Sequence, residues 1–161
     1  PNQGFGMVGE WPPEGETDNF LVGISVDPGK IKEKSGLEVP CVNIQFKYKT
    51  TTALGDRTEP LEWSGARFQI PRGGTNSVSE ENRKTVVRME TERLKGHLKC
   101  ILGRDIPGTG FPAALAEVQQ LLSSTSGMVT LVVNHQARPD KRPGKNSVYH
   151  TEYLMRRIDR A

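Results

Sequence analysis

The sequence lacks the features that mark membrane proteins and disulfide-rich proteins. No run approaches the roughly 20 apolar residues that a membrane-spanning helix needs, and no apolar segment near the start resembles a secretion signal. The 161 residues include only two cysteines, Cys41 and Cys100, which lie far apart in dissimilar contexts. We therefore expect a cytoplasmic protein with reduced thiols and no membrane partner.

Motifs for metal binding and catalysis are also lacking. His97 and Cys100 are one helical turn apart, but no further Cys-x-x-Cys or His pair completes a four-ligand site. Acidic residues are scattered rather than paired for two-metal chemistry. The glycines of residues 4–9 match G-x-G-x-x-G, but no strand precedes them and Pro12-Pro13 follows, so a dinucleotide loop is not expected. We predict a protein without enzymatic activity, cofactor or bound metal.

Aromatic residues and net charge are both low. Aromatics make up 6% of the chain, and 22 lysines and arginines face 19 acidic residues, which gives a net charge of +3. Where the charges lie therefore matters more than their sum. The length fits one domain, and 17 glycines with 11 prolines indicate long loops around a modest core.

One stretch alternates between apolar and polar residues without interruption. Its apolar positions are Val42, Ile44, Phe46 and Tyr48, and its polar positions are Asn43, Gln45, Lys47 and Lys49. This period of two predicts a strand with one buried face. The polar face carries amides and ammonium groups without an acid, which would suit a sugar-phosphate backbone. Taken alone, the stretch fits an ordinary solvent-exposed sheet face better.

Four more strand patterns and two helical patterns surround this stretch. The strand patterns cover residues 20–26, ended by Asp27-Pro28-Gly29, residues 61–70 with a bulge at Ser64-Gly65, residues 129–133 and residues 148–158. After the third strand, apolar residues recur every three or four positions as far as Gly103. They predict an amphipathic helix capped by Ser77 or Ser79, and a shorter helix follows Pro112.

Five strands with helices between the third and the fourth follow the element order of the OB-fold. We therefore predict a mainly β protein, a five-stranded OB-fold-like barrel with a helical insertion between strands 3 and 4. This nucleic-acid-binding domain covers residues 20–158. Residues 1–19 are predicted to be a flexible arm, anchored by Trp11 against the edge of the domain.

The OB-fold binds oligonucleotides or oligosaccharides on its strand 2–3 face, between two connecting loops. Both loops are basic in this chain, so three segments are expected to converge on one cleft. The candidate binding residues are Lys30, Lys32 and Lys34 in the first loop, Asn43, Gln45, Lys47, Lys49, Arg67 and Gln69 on the strands, and Arg138, Lys141, Arg142 and Lys145 in the second loop.

Single-strand binding also uses aromatic rings on which bases stack. The candidates are Trp63, Tyr48, Tyr149 and Tyr153, and Tyr149 is favoured because it directly follows the second basic loop. The alternation places Trp63 and Tyr48 on apolar faces, so packing in the core is the alternative for both.

Several segments resemble small phage-encoded OB-fold single-stranded-DNA-binding proteins. They are Trp11-Pro12-Pro13-Glu14-Gly15-Glu16, the strands at residues 39–48 and 63–71, and Arg93-Leu94-Lys95-Gly96. The resemblance spans most of residues 10–158 and implies coating of exposed single strands, without catalysis, in phage DNA replication or recombination. The implied location is the bacterial host cytoplasm. The implied partners are single-stranded DNA and replication or recombination proteins. A homo-oligomer is left open, because the sequence carries no signal of oligomeric state.

Two other readings stay open at this point. A β-rich structural or protein-interaction module, such as a virion or assembly component, would carry the same basic loops for an acidic partner. An RNA or oligosaccharide binder would use the same face, and no residue can be identified that would read a 2′-hydroxyl.

Overall fold

A computed structural model gives the architecture and describes residues 11–107, 110–124, 129–139, 144 and 148–158. The protein is mainly β, as predicted, with one antiparallel six-stranded sheet and two helices. Its strands are β1 (Gly15–Lys32), β2 (Glu38–Thr50), β3 (Glu62–Ser64), β4 (Phe68–Pro71), β5 (Thr130–Pro139) and β6 (Val148–Ile158), and its helices are α1 (Glu81–Leu102) and α2 (Phe111–Ser124). Both helices lie between β4 and β5, where the insertion was predicted. Neither described helix is long and apolar enough to cross a membrane.

The sheet is open, with the order β3-β2-β1-β5-β6 and with β4 paired to β2 beside β3. The predicted third strand is therefore two short strands on the same edge of β2. β3 pairs at Lys47 to Lys49 and β4 at Cys41 to Ile44. In the described part of the chain, no ladder joins β6 to β3 or β4. The expected count of five strands is thus replaced by six.

The long strand β1 corrects two boundaries. It begins at Gly15, so residues 15–19 of the predicted arm belong to the sheet. It also runs through Asp27-Pro28-Gly29, where we predicted a break, and ends at Lys32. Proline is tolerated there because pairing with β5 stops at Phe20, and among the described strands only β2 pairs with the rest of β1. Residues 1–10 lie outside the described part of the chain.

The core lies between the inner face of this curved sheet and the two helices. The inner face of β2 carries the predicted apolar residues, and Ile44, Phe46 and Tyr48 are each 0% exposed. Trp63 and Phe68 both point inward although they are five positions apart, because the interruption at residues 65–67 resets the alternation. A break between two short strands therefore replaces the predicted bulge, although the alternation changes register at this point as predicted.

Helix α1 ends as predicted but begins later. Gly103 terminates it in the left-handed conformation, with φ 74°. Its first residue is Glu81, and neither predicted serine caps it. Ser77 donates its hydroxyl to the Gly74 carbonyl inside a short 3₁₀ turn, and Ser79 donates its hydroxyl to the buried carboxylate of Glu33. The capping prediction is wrong because these hydroxyls have closer acceptors.

The two ends of the open sheet approach each other through one side chain. Glu152 of β6 is 0% exposed, and its carboxylate accepts a 2.9 Å hydrogen bond from the backbone N–H of Ala66, between β3 and β4. The Tyr48 hydroxyl lies 3.4 Å from the other carboxylate oxygen. A buried carboxylate thus bridges the gap that a strand ladder would otherwise close.

Candidate nucleic-acid interface

The outer face of β2 carries the polar residues that the alternation predicted. Asn43, Gln45 and Lys49 are half-buried, and Lys47 is exposed. β3 and β4 extend this surface, since Ser64 lies opposite Lys47 and Gln69 lies opposite Asn43. Arg67 is exposed between the two short strands. We call Asn43, Gln45, Lys47, Lys49, Arg67 and Gln69 the polar face.

Two of its amide side chains lie close to neighbouring backbone. Gln45 donates from Nε2 to the Gly65 carbonyl at 2.8 Å. The amide of Asn43 lies directly over Gly29 of β1, where a Cβ atom would overlap it. Because Gly29 has no side chain, it makes room for the Asn43 amide. This explains why a glycine lies within the long strand β1.

The polar face carries three cations, Lys47, Lys49 and Arg67. Among the described residues, no carboxylate oxygen lies within 4 Å of their side-chain nitrogens. Acids do border the surface. Glu62 lies directly opposite Lys49, and Asp27 lies opposite Asn43. The positive charge is therefore concentrated in a strip around Lys47 and Arg67 rather than spread over the whole sheet.

The first basic segment does not join the polar face. Lys30 and Lys32 lie in β1, opposite Pro40 and Glu38. Pro40 and Glu38 are an even number of positions from Ile44 and so lie on the same face of β2 as Ile44. The two lysines therefore project from the side of the β1–β2 ribbon opposite to Lys47 and Lys49. Lys34 alone lies in the connection, a tight turn closed by the hydrogen bond from Glu33 N to Leu37 O. We predicted that this segment converges with the polar face in one cleft. That prediction is wrong, because β1 extends to Lys32 and its pairing with β2 places Lys30 and Lys32 on the other side.

The second basic segment is only partly described. Arg138 is exposed at the end of β5, whereas Lys141, Arg142 and Lys145 lie outside the described residues. Arg138 pairs with Tyr149 on the outer face of the sheet, and Tyr153 lies on the same face opposite Asn134. Tyr149 is 52% exposed and Tyr153 is 39% exposed. Two rings and one guanidinium therefore share an accessible surface.

This tyrosine surface (Arg138, Tyr149 and Tyr153) and the polar face belong to one side of the sheet. Phe20 of β1 pairs with Lys49 on one flank and with Thr130 of β5 on the other. The outward row therefore continues from β2 across β1 into β5 and β6. Acidic Glu16 and Asp18 of β1 lie on this side as well, opposite Asn134 and Val132.

Trp63 does not belong to the candidate interface. It is 3% exposed, its indole N–H donates to Asn19 Oδ1 at 2.8 Å, and its ring packs 4.6 Å from that of Tyr48. We proposed Trp63 as a stacking residue, and its burial corrects that prediction. A ring with its one polar atom already satisfied is a core residue.

Sequence reasoning missed a cluster of aromatic rings beside Trp63. Trp11 stacks on His150 at 4.5 Å and on His135 at 5.1 Å, and the two imidazoles share a hydrogen bond of 3.0 Å. Burial lowers the pKa of His135, although hydrogen bonding to the backbone of Pro13 and Pro12 and then the nearby carboxylates partly offset this effect. Burial also lowers the pKa of His150, and the neighbouring His135 adds to this. Lone histidines in strand patterns give no signal of such pairing.

Comparison with known proteins gives no assignment, since no family model, curated protein or solved structure matches the chain.

Proposed function

We propose that this chain is an OB-fold-like protein that binds single-stranded DNA without sequence preference. The OB-fold is a partly open five-stranded barrel. If β3 and β4 count as one interrupted strand, the sheet has five strands, is partly open and has its helices between the third and the fourth. The resemblance to phage single-strand binders extends the proposal to phage DNA replication or recombination.

The polar face is the observation that carries the proposal. Lys47, Lys49 and Arg67 present cations without ion-pair partners in the described part of the chain, on the face that OB-folds use for ligands. Amides at Asn43 and Gln45 add hydrogen-bonding groups for phosphate or base edges. Tyr149 and Tyr153 supply exposed rings on the same side of the sheet. Cations and rings together are what sequence-tolerant binding of single strands needs.

The test measures fluorescence anisotropy of labelled single-stranded and double-stranded oligonucleotides across a salt series. We expect preference for the single strand and affinity that falls with salt, because phosphate contacts release counterions. The double variant Lys47→Ala/Lys49→Ala should weaken binding and reduce the slope of log K against log salt by about 1.4, since each single-strand phosphate contact contributes about 0.7.

The matched control is Lys30→Ala/Lys32→Ala, which removes the same charge from the other side of the β1–β2 ribbon. We expect its salt slope to equal that of the wild type. If both double variants reduced the slope of log K against log salt by the same amount, only the net charge of the protein would matter. Absence of single-strand preference at low salt would refute the proposal and favour a protein-interaction module.

A further inference from the structure

An apolar groove lies on the side of the β1–β2 ribbon that faces away from the polar face. It has a volume of about 340 Å³ and runs between α2 and the strands, lined by Val26, Val42, Ile70, Phe111 and Leu115. That volume is within the range of sites that hold a small ligand or a few peptide side chains, about 300–1,000 Å³. Val26 on its rim is 37% exposed, so the groove is accessible to solvent.

One basic residue lines this groove, and two more lie farther along the same side of β1. Arg72 lines it and is exposed, and its guanidinium has no ion-pair partner among the described residues. Lys30 and Lys32 lie four and six positions after Val26 on the same side of β1. Lys30 pairs with Glu38 at 3.6 Å, whereas Lys32 has no such partner within the described ranges. The charge around the groove therefore favours an acidic occupant.

The backbone beside the groove has an unpaired edge. Residues 23–32 of β1 pair with β2 on one flank, and no described strand pairs with their other flank. An unpaired strand edge can accept an extended peptide as an additional strand. Pro28 removes one N–H from this segment, which limits the ladder to part of the edge.

We propose that this groove binds an extended acidic peptide of a partner protein, with one large apolar side chain inserted between α2 and the sheet. Val26 and Lys32 are six positions apart, which is about 20 Å along a strand. A segment of about six to eight residues would therefore place its apolar side chain in the groove and its acids beside Lys30, Lys32 and Arg72. The site is independent of the polar face, so peptide and single-stranded DNA would bind together.

The test uses a fluorescein-labelled peptide of eight residues with four aspartates around a central Leu-Phe, and measures its anisotropy at low salt. Ala116 lines the groove and Ala113 does not, and both are exposed alanines on α2. Ala116→Glu should weaken binding at least tenfold through steric block and repulsion. Ala113→Glu, which makes the same change of charge on the same helix, should stay within twofold of the wild type.

A second peptide with alanines in place of Leu-Phe separates the groove from general charge attraction. We expect it to bind at least tenfold more weakly than the first. The proposal is overturned if the wild type does not bind the first peptide, if the alanine peptide binds equally well, or if both glutamate variants behave alike. Addition of unlabelled oligothymidine should leave peptide binding unchanged, and displacement of the peptide would contradict a separate site.

Discussion

Glu152 is the residue that links the two ends of the open sheet. Its carboxylate contacts Ala66 N, the Tyr48 hydroxyl and, at 3.6 Å, His97 Nε2 of α1. A fully buried carboxylate is costly unless hydrogen bonds replace its hydration. Glu152 therefore has partners on β2, on α1 and in the connection between β3 and β4, and it joins β6 to all three.

Gly65 provides the space that this carboxylate occupies, and we predict that Gly65→Ala destabilises the protein. An added Cβ would overlap the Glu152 carboxylate and lie 3.1 Å from Tyr48 Cε2. The carboxylate would have to leave its hydrogen bonds, at a cost of about 1–3 kcal/mol. Urea unfolding measures the loss as a lower free energy of unfolding.

The control for this prediction is Gly96→Ala in α1. Gly96 is exposed, and a Cβ there meets no atom within 4 Å. Alanine should therefore stabilise the helix by about 0.5–1 kcal/mol. Equal free energies of unfolding for wild type and Gly65→Ala would mean that Glu152 can relocate without loss.

At the scale of elements, the aromatic stack joins the segment before β1 to three strands. Trp11 contacts His135 of β5, His150 of β6 and Trp63 of β3, with ring centroids 4.5–5.5 Å apart. Stacked rings of this kind contribute beyond the area they bury. The predicted anchoring of the N-terminal segment through Trp11 therefore has a defined contact, although its two histidine partners were not foreseen.

The stack also predicts how stability depends on pH. Both histidines have lowered pKa values in the folded protein, so the unfolded chain binds more protons as pH falls through about 6.5. Stability is therefore fully present above pH 6.5 and decreases below it. We expect Tm to fall between pH 7.5 and 5.5 by more in the wild type than in His150→Phe, which keeps a ring in the stack without the titrating group.

Comparison of the two pH slopes separates this effect from the carboxylates. Hydrogen bonds with Ser79 lower the pKa of Glu33. This carboxylate therefore affects the stability only below about pH 4.5, outside the range of the measurement. Burial raises the pKa of Glu90, so its contribution has the opposite sign as pH falls. Both carboxylates are unchanged in the variant. Parallel Tm curves for wild type and His150→Phe would contradict the prediction.

The elements themselves could be predicted where local pattern and packing agree. The inner residues of β2, the change of register after Trp63 and the glycine end of α1 all follow from periodicity or backbone conformation. The continuation of β1 through Pro28 could not be predicted, because it depends on which flank of the strand lacks a partner. Likewise, Ser79 does not cap α1 because Glu33, 46 positions away, accepts its hydroxyl.

At the scale of the whole molecule, the β1–β2 ribbon has two faces with different chemistry. One face carries Lys47, Lys49 and Arg67, and the other carries Lys30, Lys32 and the apolar groove. The sequence places all these cations near one another, and only the register of β1 against β2 separates them. The composition therefore predicts a basic protein, while the pairing decides which cations share a ligand.

The outer side of the sheet also sets a length for the single strand that it would bind. Lys49 lies on β2 and Tyr153 lies on β6, three strands away. Along the strand direction, the two are separated by about four residue positions. With about 4.8 Å between strands and about 3.3 Å per residue position, the two residues are about 20 Å apart on a flat sheet. A very short oligonucleotide would contact one of them, whereas a longer one would contact both.

We therefore predict that the effect of Tyr153→Ala depends on oligonucleotide length. For oligothymidine of 12 residues, loss of the ring should cost about 1–3 kcal/mol of binding free energy, the usual contribution of a base stacked on an aromatic ring. For oligothymidine of 3 residues, held by the cations around Lys47, the loss should be small. Tyr153→Phe keeps the ring and should match the wild type at both lengths in anisotropy titrations. An equal cost at both lengths would place the phosphate contacts beside β6, and no cost at either length would remove Tyr153 from the binding path.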